Sequence, residues 1–340
     1  MSTTTQLVSL DERVGTDISG ARDFDDVMNQ AGFDFDVEKV PVHDPEGNEV
    51  DGHFIVRRTD TKHPFACMKK RYHTIPMEEM LRPFHTMVSE YGLTYENAGI
   101  IQNGRKAWIA AKFGDEWGLK NRPEDKMKNR LVCLLANDGT SLNSYFSIAN
   151  RLFCNNQINY IQKEANRSAY GVRHTKNWKG RLEEAKFAVM LAIENLKEFR
   201  NVADKLDSKR MTANQCRGFA CQLFPDPEPK AKPGLTVKKD EPVILSSKLI
   251  NRREKIVDLF VTGAGNQGAS RWDALNAVTE FFQHHNNANR LEKHGRKAAE
   301  RQLVSNLMGG TNDIATRRAV NMLVNEKKFK SLTPAVYDKS

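Results

Sequence analysis

The sequence predicts an α+β protein: an antiparallel β-meander packed by one long helix, followed by a helical C-terminal region. Three observations carry that prediction. Pairs of apolar runs meet at turn dipeptides, Asn103-Gly104 and Asp138-Gly139. A run with apolar residues every three or four positions extends from Leu182 to Leu206. Beyond a stretch with five prolines between Phe224 and Val243, the remaining chain reads as helix.

Taken in order, residues 1–50 form an acidic region with few apolar positions, expected to be loosely ordered. Residues 51–224 make the α+β core, 225–243 a Pro-rich linker, and 244–330 a basic helical region. Strand-like runs begin at His53–Val56 and Phe65–Tyr72, after turn chemistry at Asp44–Asn48. Pro76 suits a first helical turn, and Met77, Met80, Leu81, Phe84 and Val88 follow at helical spacing; Pro83 predicts a kink or interruption. Asn103-Gly104 is a favoured two-residue hairpin turn, since both residues tolerate positive φ. Trp108, on the following strand, is assigned to the core, with base stacking as the other reading. Residues 114–129 read as a polar excursion, Arg130–Ile148 as a second hairpin, and a helix-like run opens near Ala149. The periodic run from Leu182 gives an amphipathic helix of about twenty-five residues.

Charge is distributed unevenly. Residues 1–60 hold fourteen Asp/Glu against five Lys/Arg, a net −9, so the remainder carries +18 within an overall +9. A body that basic has an electrostatic reason to meet a polyanion. From Lys120 to Arg181 there are twelve Lys/Arg and four Asp/Glu. Within it, Tyr170, Arg173, His174, Lys176, Trp178, Lys179 and Arg181 fall inside a dozen residues. Cations for phosphates and flat rings for bases are what a single strand of nucleic acid requires. Arg105 and Lys106 at the first hairpin tip and Arg151 after the second hairpin complete the predicted contact set.

Other chemistries fit less well. Five cysteines stand apart, without a CxxC pair, and a zinc site on Cys216, Cys221, His284 and His285 lacks ligand spacing. Gly263–Gly268 is a formal GxGxxG, but no second parallel strand with a terminal acid follows, so a hinge between helices explains it better. Asp138 and His174 are the best catalytic pair for an enzyme acting on nucleic acid, although a magnesium nuclease needs more carboxylates than this region offers. No cofactor is expected. No run approaches the roughly twenty apolar residues of a membrane span, and the first fifteen residues lack a secretory pattern, so a cytoplasmic protein is expected.

The sequence also resembles a phage/plasmid-like protein family catalogued as a domain of unknown function (nine-thirty-two). The resemblance rests on Arg71-Tyr72, Ala98-Gly99, Gly104-Arg105-Lys106-Ala107-Trp108 and Asp138-Gly139-Thr140-Ser141. It continues through Arg151–Asn156, Arg173-His174-Thr175 and Trp272–Val278. Where members carry His before the Asp-Gly pair, this chain has Asn137, so no histidine role carries over there. The order of helix, meander and long helix also looks like the core of the phage single-strand annealing proteins, the Red-beta, Erf and eukaryotic Rad annealase superfamily. These resemblances imply a phage or plasmid recombination protein that anneals single-stranded DNA without ATP. They further imply a homo-oligomeric ring or filament, with a single-strand-binding protein as an additional partner. The alternatives are a metal-dependent nucleic-acid-processing enzyme and a host-interaction or anti-defence protein with an acidic front.

Overall fold

The computed structural model describes residues 10–152, 156–159, 171–183, 185–227, 245–286, 288–307 and 309–332. It is α+β, as predicted, with two antiparallel sheets. The smaller has three strands in the order β2 (Val37–His43), β3 (Glu49–Arg58) and β4 (Pro64–Lys69). The larger is a meander of β5 (Thr94–Ile101), β6 (Lys106–Gly118), β7 (Lys126–Ala136) and β8 (Asn143–Arg151). The short β1 (Thr16–Asp17) pairs outside β5, while β9 (Asn156–Asn159) and β10 (Gly171–Val172) both pair with β8.

The meander is buried on both faces, which explains why its strands read as nearly continuous apolar runs. On one face Ala107, Ile109, Leu131, Cys133, Leu135 and Tyr145 pack with Met80, Leu81 and Phe84 of α3 (Met77–Glu90). Trp108, Ala110, Val132, Leu134, Phe146 and Ile148 face the other way, onto Leu291, Ala299 and Leu303 of α9 (Ala288–Leu307). Trp108 is therefore a core residue, at 3% exposure.

At the first hairpin Ile101 pairs with Lys106, so four residues make the turn rather than two. Asn103 (φ 60°) and Gly104 (φ 100°) do adopt the positive φ that the dipeptide predicts. A Cβ on Gly104 would stand 2.6 Å from the Phe35 ring, so glycine is needed there for space as well.

Several expectations change. The acidic front is packed from residue 10 onward: Val14, Ile18, Val27, Ala31, Phe33 and Phe35 are all buried. Its α2 (Phe24–Ala31) is capped by Asp23, which accepts from the Asp26 amide at 2.8 Å, and ends at left-handed Gly32. Helix α3 runs uninterrupted through Pro83. The excursion at 114–129 is largely strand, since Trp117 pairs with Met127 and Gly118 with Lys126. No helix opens at Ala149, because β8 continues to Arg151, paired with Met127.

Helix α4 (Trp178–Glu183) leads into the predicted long helix, α5 (Ala185–Ser208), followed by α6 (Ala213–Leu223). After the Pro-rich stretch come α7 (Ser247–Thr262), α8 (Arg271–Glu280), a π-helical turn (Phe281–His285), α9, α10 (Thr311–Val324) and α11 (Glu326–Lys330). These do not form a separate body. Leu196, Phe199, Phe219 and Leu223 share one hydrophobic core with Ile256, Phe260, Trp272, Leu275 and Leu323. The segment 225–243 joins two parts of that core rather than bounding it. No helix among the described residues is long and apolar enough to cross a membrane.

Candidate nucleic-acid interface

Four segments distant in sequence meet at one end of the meander. They are the turn after β4, the start of β6, the β7–β8 turn, and the loop before α4. The His73 amide donates to the His174 carbonyl at 3.1 Å, and the His174 ring Nδ1 donates back to the His73 carbonyl at 2.9 Å. Tyr72 stacks on the His174 ring, with centroids 4.5 Å apart and planes 12° from parallel. Beneath them lies Asp138, whose Oδ1 accepts from Lys106 Nζ (3.3 Å) and from the Thr140 amide (3.1 Å) and hydroxyl (2.7 Å). Lys106 Nζ also donates to Thr140 Oγ1 at 2.6 Å and Ser141 Oγ at 2.8 Å, so its three donors are matched.

Burial sets the electrostatics of this cluster. It holds the His174 imidazole below its ordinary value, opposed by the carbonyls of His73 and Ala136 and by Asp138. Burial also lowers Lys106, opposed by Asp138, and raises the Tyr72 hydroxyl. Gly139, at φ 66°, brings the β7–β8 turn against β4; a Cβ there would stand 2.5 Å from Met68 Cε.

The cluster is a scaffold, and the surface above it is cationic. Arg173 and Lys176 on the loop and Lys179 in the first turn of α4 are exposed. The His73–His174 pairing attaches them to the turn that carries Lys69, Lys70 and Arg71, also exposed. Among the described residues none of these six has a carboxylate partner. The Lys-Lys-Arg run at 69–71 was visible in the sequence, but its proximity to the loop depends on a pairing a hundred residues apart.

Other predicted contacts are placed differently. Trp178 is 9% exposed and packs into the core with Val172, so it anchors the loop rather than offering a face to a base. Lys179 Nζ lies 5.5 Å from that ring. His174 and Lys106 are buried in the scaffold. Arg105 is half-buried and donates to the Phe65 carbonyl. Tyr170 lies outside the described residues, as does the side chain of Arg181, whose backbone is in α4.

Arg151 is the clearest correction. It is fully buried, and all five of its N–H donors are engaged. Asp125 takes two, both at 2.6 Å, and the Ala264 carbonyl (2.9 Å), Gly265 carbonyl (2.7 Å) and Asn266 Oδ1 (2.8 Å) take the rest. No donor remains for a phosphate. The glycine-rich GxGxxG stretch is thus a loop between α7 and α8 whose carbonyls receive an arginine from β8. Trp272 Nε1 donates to the same Asp125 at 2.9 Å. Nearby, Arg122 bridges Asp273 (2.8 Å) and Asp207. Among the described residues there is no group of three or more His, Cys, Asp or Glu able to hold a metal ion. Cys133 and Cys216 are buried, with the Cys216 thiol pushed up to about 12.

Fold and site together define an α+β protein with a double-faced meander, a buried arginine joint and an unneutralised cationic surface. The chain belongs to the family described as Domain of unknown function (DUF932), whose model matches residues 64–317, more than half of its length. No curated protein and no solved structure matches it.

Proposed function

We propose that this protein binds single-stranded DNA and serves recombination in a phage or plasmid, annealing complementary strands without ATP. The observation that carries the reading is the convergence of six exposed cations without carboxylate partners on a rigid base. Loose cations scattered on a surface are ordinary; here the two segments that carry them are joined by a stacked Tyr72–His174 pair and an anchored Trp178. Phosphate contact then supplies most of the affinity, and binding falls steeply with salt. Phe187 and Met190, exposed one turn apart on α5, support the homo-oligomer that our reading makes a ring or filament.

The test is fluorescence anisotropy with a labelled oligonucleotide across a salt series. Lys69, Lys70 and Arg71 replaced by Ala, or Arg173, Lys176 and Lys179 replaced by Ala, each weaken binding. Each set also lowers the salt slope by about 2, at ~0.7 per phosphate contact on a single strand. Either triple variant binding as well as wild type would remove the reading. Strand-annealing assays without nucleotide, and particle imaging with a long oligonucleotide, test annealing and assembly.

A further inference from the structure

A second basic feature lies away from that surface, in the C-terminal helices. A cavity of about 640 Å³ opens between α7, the π-helical turn, α9 and α10. Lys248, Arg252, Arg290, His294 and Arg301 line it, and no carboxylate is among its described lining residues. Nor has any of the five an ion-pair partner among the described residues.

Four of these side chains, Lys248, Arg290, His294 and Arg301, are exposed, so the absence departs from the habit of this chain only at half-buried Arg252. The chain's deeply buried arginines have acids: Arg122 has Asp273, Arg151 has Asp125, Arg253 has Asp226 and Arg271 has Glu326. Arg252 sits one residue from Arg253, half-buried, with only the Phe224 ring beneath it at 5.0 Å from the centroid. Burial lowers its pKa with no acid to oppose the effect. Collecting like charges around a partly desolvated space is unfavourable until an anion enters.

The remaining walls agree in polarity. Two of the lining amides are occupied within the protein: Gln302 donates to the carbonyls of Phe282 and Gln283, and Asn312 to Asn306. The other polar lining groups are the five basic side chains, Asn286, and the Ser305 and Thr311 hydroxyls, which lie 3.3 Å apart; Lys248 is in the first turn of α7 and Thr311 opens α10. The N-cap of α10 is Gly310, and Asp313 in its first turn accepts from the Gly309 amide at 2.9 Å. Such a lining suits a ligand that only accepts hydrogen bonds and carries several negative charges. The cavity lies within the ~300–1,000 Å³ range of small-molecule sites, which favours a compact ligand over a passing strand.

We propose that this cleft binds a small polyphosphate-bearing ligand, of the inorganic triphosphate or nucleoside triphosphate class, at a site separate from the Arg173–Lys179 surface. The proposal goes beyond strand binding and does not depend on it.

Isothermal titration of the full-length protein with inorganic triphosphate, ATP and sulfate tests it. Triphosphate and ATP are expected to bind saturably at one site per chain and with similar affinity, and sulfate far more weakly. Arg252→Met and Arg301→Ala each weaken triphosphate by about tenfold, the scale of one charge-assisted hydrogen bond. Lys248→Ala, an exposed change that leaves the core alone, weakens it in the same direction and guards against a folding defect in Arg252→Met. The Arg173/Lys176/Lys179 alanine variant binds triphosphate like wild type. No saturable binding, or equal weakening in that loop variant, would overturn the proposal. Sulfate binding as tightly as triphosphate would reduce the cleft to a generic anion trap. Displacement of triphosphate by a single-stranded oligonucleotide would place the cleft on the DNA path and equally overturn it.

Discussion

Arg151 and Arg173 come from the same basic stretch of sequence and have opposite fates. Arg151 is sealed between Asp125 and the carbonyls of the α7–α8 loop, while Arg173 stands exposed with no acid beside it. The difference lies in what surrounds each cation. A buried guanidinium must have its donors matched, so its partners come from several elements and it joins them. An exposed one needs no partner, and its charge stays available to a ligand. Local charge density therefore locates a basic surface poorly; charge left unmatched after folding locates it well.

That contrast breaks first at the joint. Asp125→Ala leaves Arg151 buried and uncompensated, and is expected to cost about 3–5 kcal/mol in chemical denaturation. An Asp125→Leu/Arg151→Met double variant should recover much of the loss; if it does not, the pair contributes more than mutual neutralisation. At the surface the expectation reverses. Replacing Arg173, Lys176 and Lys179 with Ala should weaken oligonucleotide binding and its salt slope while moving stability by less than ~0.5 kcal/mol per site. A matching drop in unfolding midpoint would show that these side chains belong to the packing.

Between the two lies the scaffold. Lys106→Met removes three hydrogen bonds from Asp138, Thr140 and Ser141, and should cost about 1–3 kcal/mol, read as a shift in denaturation midpoint. The smallest effect concerns pH. His174 is held below its ordinary value of 6.5 in the folded chain, so the unfolded chain binds the proton first. Its contribution is therefore complete above pH 6.5 and is lost as pH falls from there through the lowered folded value. Burial shifts His85 the same way. Melting temperature should fall between pH 7.5 and 5.5, and His174→Phe, which keeps a ring against Tyr72, should flatten part of that fall. An unchanged slope would mean the shift in His174 is immaterial to folding.

Which parts of this were legible in the sequence follows from how local their causes are. The turn at Asn103-Gly104 was, because positive φ is a property of those residues. The long helix was too, because its apolar spacing repeats over many turns. Trp117 and Met127 were hidden as strand partners because polar neighbours masked the alternation. Arg151 was misplaced because a charged side chain reads as surface until its partners are known, and three of those lie more than a hundred residues away in the α7–α8 loop. Within the candidate site, Arg173, Lys176 and Lys179 were named from composition. Lys69, Lys70 and Arg71 were not, because only the His73–His174 pairing brings them near.

The joint at Arg151 also bears on what chain connectivity does for this molecule. The half beyond residues 225–243 is held by the Arg151 hydrogen bonds, by the Arg122–Asp273 ion pair and by a common core, with Phe199 against Trp272 at 6.1 Å between ring centroids. Covalent continuity through that stretch serves to raise the local concentration of one half near the other. Two coexpressed pieces, divided between 228 and 244, should find each other and purify as one complex, and the Asp125→Ala change should part them.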